Sequence, residues 1–377
     1  MSVDIKRVES GAELKAFVNF PTELYKHCPQ YVPSLFEGEI DSFNPKTNPA
    51  YEFCHAALFL AYKDGKIAGR VAAIVNEIAN RDWNHKEVRF GWLDFIDDSE
   101  VSKALINAVE EFGKSLGMTS VVGPLGFTDF DNEGMVVDGF KEVSTFMLKY
   151  NAAYYPAHLE ALGFEKVIDW LEYRIYVPDK VPERVTRMMD IVKDRYNLGI
   201  HKASKREIRK KGYGRKIFEL INKAYKNLFD FTLLPDKMID YYVNVFLGIL
   251  DMNYVILVED KSDGRLVGVA VAMPSVANAA KKARGRLFPF GWFHIMKSLY
   301  LKHEDAVELL IIGVDPEYRN RGVNAIIFAE MIPRLHKGGF KYAESNAELE
   351  TNLQVQNQWN PYVKRLQRRR RVYGKSL

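Results

Sequence analysis

Two stretches of the chain share one order of apolar and polar positions. AYKDGKIAGRVAAIV (61–75) runs apolar, breaks at Asp64-Gly65, and runs apolar again; VEDKSDGRLVGVAVAM (258–273) does the same around Asp263-Gly264. An Asp-Gly pair between β-rich runs predicts a hairpin, because both residues tolerate the positive φ of a tight turn. The shared spacing extends from Asp64 to Gly69 and from Asp263 to Gly268. It reads as a weak internal repeat, with two unrelated hairpins as the alternative.

The pattern after each hairpin repeats as well. VRFGWLDFID (88–97) reads as a buried strand. Ser99 is then expected to cap a helix with apolar positions at Val101, Leu105, Ala108, Val109 and Phe112 and a stop at Gly117, before the strand TSVVGPL (119–125). In the second half the strand is VELLIIGV (307–314). A polar turn interrupts it, a helix carries Val323, Ile326, Ile327, Glu330 and Met331, Gly338 and Gly339 end that helix, and FKYAES (340–345) is the next strand. Helical segments over 11–43 and 215–250 precede the two hairpins, the second with Ile217, Leu220, Ile221, Ala224, Tyr225 and Leu228 on one face. Strands and helices in this order predict an α/β (α+β) chain. The Pro-marked segment VPDKVPERV (177–185) separates domains at 1–180 and 201–377, with a helical linker over 181–200 that includes a helix at 184–197. A length of 377 residues also favours two cores over one.

Composition changes this picture little. Apolar residues are 47% and charged residues 27%, an ordinary globular mix. No run approaches ~18 apolar residues, so no membrane span is expected. The start MSVDIKRVES has no apolar core of a secretory signal, and Cys28 and Cys54 stand in no metal or redox spacing, so a cytoplasmic setting with idle thiols is expected. Net charge is +4, but HKASKREIRKKGYGRK (201–216) and KRLQRRRRVYGK (364–375) are strongly basic. They could attract phosphates, although a solvated linker face and a charged final strand account for them. Nucleic acid is an unlikely partner, because aromatic residues do not interleave with the charge. The eight histidines do not cluster, and no metal site is expected.

The interrupted turn VDPEYRNRGVNAII (314–327) carries the clearest chemistry. The first N–H groups of a helix lack intrahelical partners and face the turn, at the positive end of the dipole. Arg319, Asn320, Arg321, Gly322, Val323, Asn324 and Ala325 stand where those amides should be. This suits a diphosphate. Neither a P-loop nor a GxGxxG motif is present, so ATP and NAD are not indicated.

Arg319-x-x-Gly322-x-Asn324, preceded by Val314-Asp315-Pro316-Glu317-Tyr318, resembles the CoA-binding motif of the GNAT superfamily of acyl-CoA N-acyltransferases. That family shows Gln/Arg-x-x-Gly-x-Gly/Ala after its fourth strand; Asn324 departs at the last position. YYPAHLEALGFEKVIDWLEYRIYV (154–177) resembles the family's closing helix, Gly-Phe turn and last strand. The first half places IDDSEVSKAL (96–105) at its own cradle, and Asp97, Asp98 and Glu100 would repel a diphosphate. The resemblance implies two GNAT-like domains in tandem, each a mixed, mainly antiparallel sheet flanked by helices, the first with a degenerate cofactor site. The layout is similar to that of the N-myristoyltransferases. GPLGFTDFDNEGMVVDGF (123–140) and YNAAYYPAHLEALGFEK (150–166) also resemble segments of bacterial tandem GNAT-like proteins without an assigned substrate.

The resemblance implies an acyltransferase, most simply an N-acetyltransferase, taking acetyl-CoA or a longer acyl-CoA and an amine on a small molecule or peptide. Its base would be Glu308, the one acid in AVELLIIGV, with Glu344 on the next strand as rival; solvent-facing or salt-bridged glutamates are the alternatives. The amide of Val314 or a neighbour would hold the oxyanion, and Gly313 would mark a bulge that splays the strands. Asn352 would meet the CoA arm. Trp359 stands where the family's acidic tyrosine is expected, leaving Tyr362 as a substitute acid or as packing. A CoA-binding or ligand-sensing protein without turnover is the other reading. Asp129, Asp131 and Glu133 form a turn or an acidic wall. Phe288, Phe290, Trp292 and Phe293 would line an acyl or acceptor pocket, touch a membrane surface, or pack inward as the aromatic face of a helix at the domain interface.

Overall fold

The structure is a computed structural model that describes residues 3–247 and 250–377. Positions 1 and 2 of the N-terminal stretch, and 248 and 249 of the helical segment expected over 215–250, lie outside the described residues. In chain order the strands are β1 (Asp4–Arg7), β2 (Cys54–Lys63), β3 (Lys66–Asn76), β4 (Glu87–Phe95), β5 (Ser120–Gly123), β6 (Met135–Asp138), β7 (Glu165–Tyr176), β8 (Leu198–His201), β9 (Val255–Asp260), β10 (Arg265–Pro274), β11 (Ala306–Val314), β12 (Tyr342–Glu344), β13 (Glu348–Leu349) and β14 (Lys364–Ser376). The helices are α1 (Gly11–Leu24), α2 (Phe36–Ser42), α3 (Glu77–Asp82), α4 (Ser99–Ser115), α5 (Tyr155–Ala161), α6 (Glu183–Arg195), α7 (Lys205–Lys210), α8 (Tyr213–Tyr225), α9 (Asp236–Leu247), α10 (Ala277–Ala283), α11 (Gly291–Tyr300), α12 (Val323–Lys337) and α13 (Leu353–Asn357).

Two compact units result, and neither is continuous in sequence. The first takes Met1–Leu171, Ala277–His294 and Gln367–Leu377; the second takes Glu172–Val276 and Ile295–Leu366. The halves expected from sequence, 1–180 and 201–377, therefore trade segments.

In the first unit β1, β2, β3 and β4 pair antiparallel in succession, β4 pairs parallel with β5, and β14 adds antiparallel to β5. Helix α4 makes the crossover from β4 to β5 and buries Val101, Leu105, Ile106 and Val109 against Phe90 and Phe95. In the second unit β8, β9, β10 and β11 pair antiparallel, β11 pairs parallel with β12, and β7 adds antiparallel to β12. Helix α12 makes that crossover and buries Val323, Ile326, Ile327 and Met331 against Val258, Val267 and Ala272. Each unit is thus a mixed, mainly antiparallel sheet flanked by helices, built on one plan.

The repeat extends to an irregularity. The parallel pair has three rungs in each unit, Glu87–Arg89 with Ser120–Val122 and Ala306–Glu308 with Tyr342–Glu344. Beyond them β4 and β11 run on without those neighbours. At that point each strand carries one extra residue. Val271 faces Ile311 while Ala272 faces Leu309, which makes Leu310 the bulge; Gly91 to Asp94 contains the matching one. The bulge is therefore at Leu310 and not at Gly313, which pairs regularly with Val269. Gly313 is needed for packing, because a Cβ there would lie 2.9 Å from Ile221 Cδ1 of α8.

Other local expectations shift by similar small steps. Asp98, not Ser99, caps α4, its carboxylate accepting from the amides of Glu100 and Val101 at 3.0 and 3.4 Å. The hairpins differ in loop length: Asp64 and Gly65 form a two-residue turn with φ of 53° and 73°, whereas 261–264 separate β9 from β10. The linker helix begins at Glu183 and ends at Arg195.

The basic run of β14 is not a solvated face. Arg368 and Arg370 are 2% and 0% exposed. Arg370 donates to the carbonyls of Gly134 and Lys149, and Arg368 to that of Val143. Arg369 and Arg371 grip Asp169, itself 1% exposed, at 3.1 and 2.8 Å. Burial pushes the Asp169 carboxyl up, but Arg371, Lys166 and Arg369 outweigh it and hold it below its ordinary value.

Candidate functional site

The starts of the two crossover helices differ chemically. At α4 the Asp98 carboxylate occupies the amides, and Lys63 neutralises Asp98 and Glu100 at 2.5 and 2.9 Å. Two of the first amides are taken by that carboxylate, and the acids around them would repel an external anion. At α12 the cap is Gly322, whose φ is 83° and which has no side chain to turn back on the helix. Its amides and those of Val323 and Asn324 point outward at the dipole's positive end. A Cβ on Gly322 would meet Val192 Cγ2 of α6 at 2.8 Å, so packing requires glycine as well. Asn320, at φ 61°, supplies the other left-handed residue of the turn.

The two arginines of the turn are positioned by the chain. Arg319 donates to the Ala224 carbonyl at the end of α8. Arg321 lies over the rings of Tyr196 and Tyr318 at 5.2 and 4.9 Å. The Tyr318 hydroxyl donates to Asp260 at 2.6 Å, and Arg265 contacts Tyr318 and Glu317. The turn is braced from beneath and carries its positive charge outward.

Beside this cradle lies the edge of β11 that β12 has left. The Asp315 amide donates to Val267 of β10 at 2.9 Å. Strand alternation then turns the N–H groups of Ile312 and Val314 toward the opening. Tyr225 of α8 donates to the Ile312 carbonyl at 2.8 Å. Its own hydroxyl is pushed up to about 12 by burial, eased by the Ile312 hydrogen bond and increased by the nearby charge of Glu348.

Glu348 is the residue that sequence reasoning missed. It sits on the two-residue β13 and is 8% exposed. Trp359 Nε1 donates to its Oε1 at 2.7 Å, while Oε2 has no hydrogen bond among the described residues. Burial raises its pKa to about 7, with Trp359, Ser345 and Lys364 drawing it partly back. The only sequence signal was an acid between Ala347 and Leu349, too brief an apolar context to single it out.

Further buried polar atoms are unsatisfied along the same wall. Asn324 Nδ2 donates to Gln358 Oε1 at 3.3 Å, leaving Asn324 Oδ1 and Gln358 Nε2 without partners among the described residues. The Tyr362 hydroxyl is also unpartnered, with its pKa raised to about 12 by burial. Tyr362 and Trp359 both pack on Phe328 of α12, at ring distances of 5.8 and 5.4 Å. Buried polar groups are nearly always hydrogen-bonded, so these atoms beside the α12 start are ones that a polar ligand could satisfy.

The remaining sequence candidates lie at the closed end of the opening or in local structure. Glu308 is 3% exposed on the last paired rung, accepting from Ser275 Oγ at 3.0 Å. Glu344, its neighbour across that rung, receives Arg174 at 3.0 and 2.6 Å. Asn352 caps α13 by accepting from the Val355 amide. Ala325 donates back to the Gly322 carbonyl within the first turn of α12.

In the first unit, Asp131 of the acidic loop accepts from the amides of Phe127 and Thr128 at 2.9 and 3.2 Å and is raised to about 6 by burial. It holds a turn. The bulge there carries Trp92 at φ 46°, whose indole donates to Glu39 at 2.6 Å.

No family model matches the chain. It is 26% identical over 316 residues to the bacterial ceramide synthase of Caulobacter vibrioides, covering 83% of this chain and 80% of that protein. It is 25% identical over 375 residues to protein YghO of Escherichia coli, covering 97% and 93%. Among solved structures, a tandem GNAT protein from the clavulanic acid biosynthesis pathway superimposes over 100% of this chain and 98% of its own, with a TM-score of 0.57 at 12% identity. The two-unit plan and this superposition together give the chain a tandem GNAT fold.

Proposed function

We propose that the chain is an acyl-CoA-dependent N-acyltransferase whose second unit binds CoA at the start of α12 and whose general base is Glu348. The observation that carries this reading is the set of orphaned buried atoms, Glu348 Oε2, Tyr362 Oη, Asn324 Oδ1 and Gln358 Nε2, beside a helix start without a side-chain cap. The amides from Gly322 to Asn324 would hold the diphosphate, with Arg321 adding charge.

The amine nitrogen attacks the thioester carbon, the C–S bond breaks, and CoA leaves as the thiolate. The proton lost by the amine passes to Glu348, which at a pKa of about 7 is both ionised enough to accept it and basic enough to hold it. The Ile312 or Val314 amide would stabilise the oxyanion. Glu308, capped by Ser275, and Glu344, held by Arg174, are less suited to that task.

Acetyl-CoA is the simplest donor. The relative named as a ceramide synthase favours a longer acyl chain and a long-chain amine as acceptor. A second reading, a CoA-binding protein without turnover, draws on Trp359, which cannot protonate a leaving thiolate.

Thermal unfolding with CoA, acetyl-CoA and palmitoyl-CoA, together with thiol release in the presence of a small amine or a long-chain amino alcohol, tests both readings. A ligand at about a hundred times its dissociation constant adds roughly 2.7 kcal/mol. The enzyme reading expects that shift in both the parent and Glu348→Gln, with turnover only in the parent. A shift without turnover in either supports the binding protein, and no shift with any CoA species overturns both.

A further inference from the structure

Within the first unit, the segment Ala277–His294 leaves an apolar cluster in water. Phe288 is 71% exposed, Phe290 76%, Trp292 48% and Phe293 49%. The inward packing weighed from sequence is not seen for these rings. Four large aromatic side chains are exposed within six residues, two of them in ring contact at 6.1 Å, and soluble surfaces avoid such apolar concentration unless something covers it.

The charge around the patch says what would cover it. Lys282, Arg284 and Arg286 are exposed just before the rings, and no Asp or Glu occurs between Asp263 and Glu304. Glu37, near this segment, accepts from the Leu287 amide at 3.4 Å, and Arg286 is held over the Phe36 ring at 4.5 Å and donates to Asn19. A second copy of the chain docking here through a twofold would bring the same cations against each other, which like charges oppose. An anionic lipid surface answers both features: acyl chains take the aromatic rings, and headgroup phosphates face the cations.

We propose that this segment docks the protein on the surface of an anionic lipid bilayer. The proposal deepens the reading given above, since a long-chain amine or acyl donor would then be met at the membrane where it resides. The binding step stands apart from turnover and is read without substrate.

The experiment is co-sedimentation of the full chain with vesicles of phosphatidylcholine alone and of phosphatidylcholine mixed with phosphatidylglycerol, at low and high salt. The expected result is binding to the mixed vesicles that weakens with salt. Phe288→Ser with Phe290→Ser should reduce partitioning at least about tenfold. Lys282→Glu with Arg284→Glu should reduce it about as much. All four positions are exposed, and an unchanged CoA-induced thermal shift in the variants checks that the chain remains intact. No binding to mixed vesicles, or binding that neither pair affects, overturns the proposal. So does concentration-dependent self-association, lost in the phenylalanine pair, without vesicle binding. A CoA response without vesicle binding would overturn the docking and leave the acyltransferase reading in place; vesicle binding without a CoA response would do the reverse.

Discussion

Glu348 shows how one buried carboxyl links stability to pH. Its folded pKa of about 7 lies above the ordinary glutamate value of 4.5. Below pH ~4.5 both folded and unfolded chains hold the proton and the group is neutral to folding. As pH rises toward ~7 the unfolded chain releases its proton first, so stability falls across that window. Glu348→Gln should therefore raise the melting temperature at pH ~8, by the equivalent of at most about 3 kcal/mol, and leave it nearly unchanged at pH ~4. Equal effects at both pH values would show that burial does not penalise the charge. Trp359→Phe keeps the ring against Phe328 but removes the N–H that favours the carboxylate. The pKa then rises, and the acid limb of the kcat/KM profile should move about one to two units higher. A profile left in place would separate Glu348 from the proton transfer. None of this was visible in the sequence, because Glu348 owes its character to Trp359, eleven positions on, and to burial by other elements.

At the scale of elements, strands and crossover helices were legible because their signals are local. Apolar periodicity marked β4, α4, β11 and α12, and Asp64-Gly65 marked the tight turn between β2 and β3. The Leu310 bulge was not legible, because it depends on how β10 and β11 register, and Gly313 nearby offered a false cue. In the sequence Gly322 is one of several cradle positions, yet the structure gives it two further duties: a φ of 83° and contact with α6. Gly212, which starts α8 at φ 79°, has nothing within 4 Å of where a Cβ would stand. Gly212→Ala should cost only the backbone strain, about 1–2 kcal/mol. Gly322→Ala should cost more, because Val192 must also give way at 2.8 Å. Urea midpoints of the two variants measure the difference. Equal losses would mean that α6 yields freely and that Gly322 serves the turn alone.

For the whole molecule, the sequence suggested two contiguous halves, while the compact units exchange their ends. The pairing of β5 with β14 joins Ser120–Gly123 to Tyr373–Ser376, a separation that leaves no local trace. The run of arginines was legible as charge but not as burial, since a charge run ordinarily lies in solvent. Its consequence is a dependence of the first unit on the end of the chain. Removing Gln367–Leu377 takes away the strand beside β5, the buried Arg368 and Arg370, and two cations that hold Asp169. Leaving a buried carboxylate without those partners alone costs about 3–5 kcal/mol, comparable with much of a domain's stability. A chain ending at Leu366 should lose amide-exchange protection throughout β3, β4 and β5. The fragment 1–180 should not fold by itself, and one with residues 367–377 fused after a flexible linker should regain protection. A stable, protected 1–180 fragment would show instead that the contiguous half is a self-sufficient folding unit and that β14 is an addition to it.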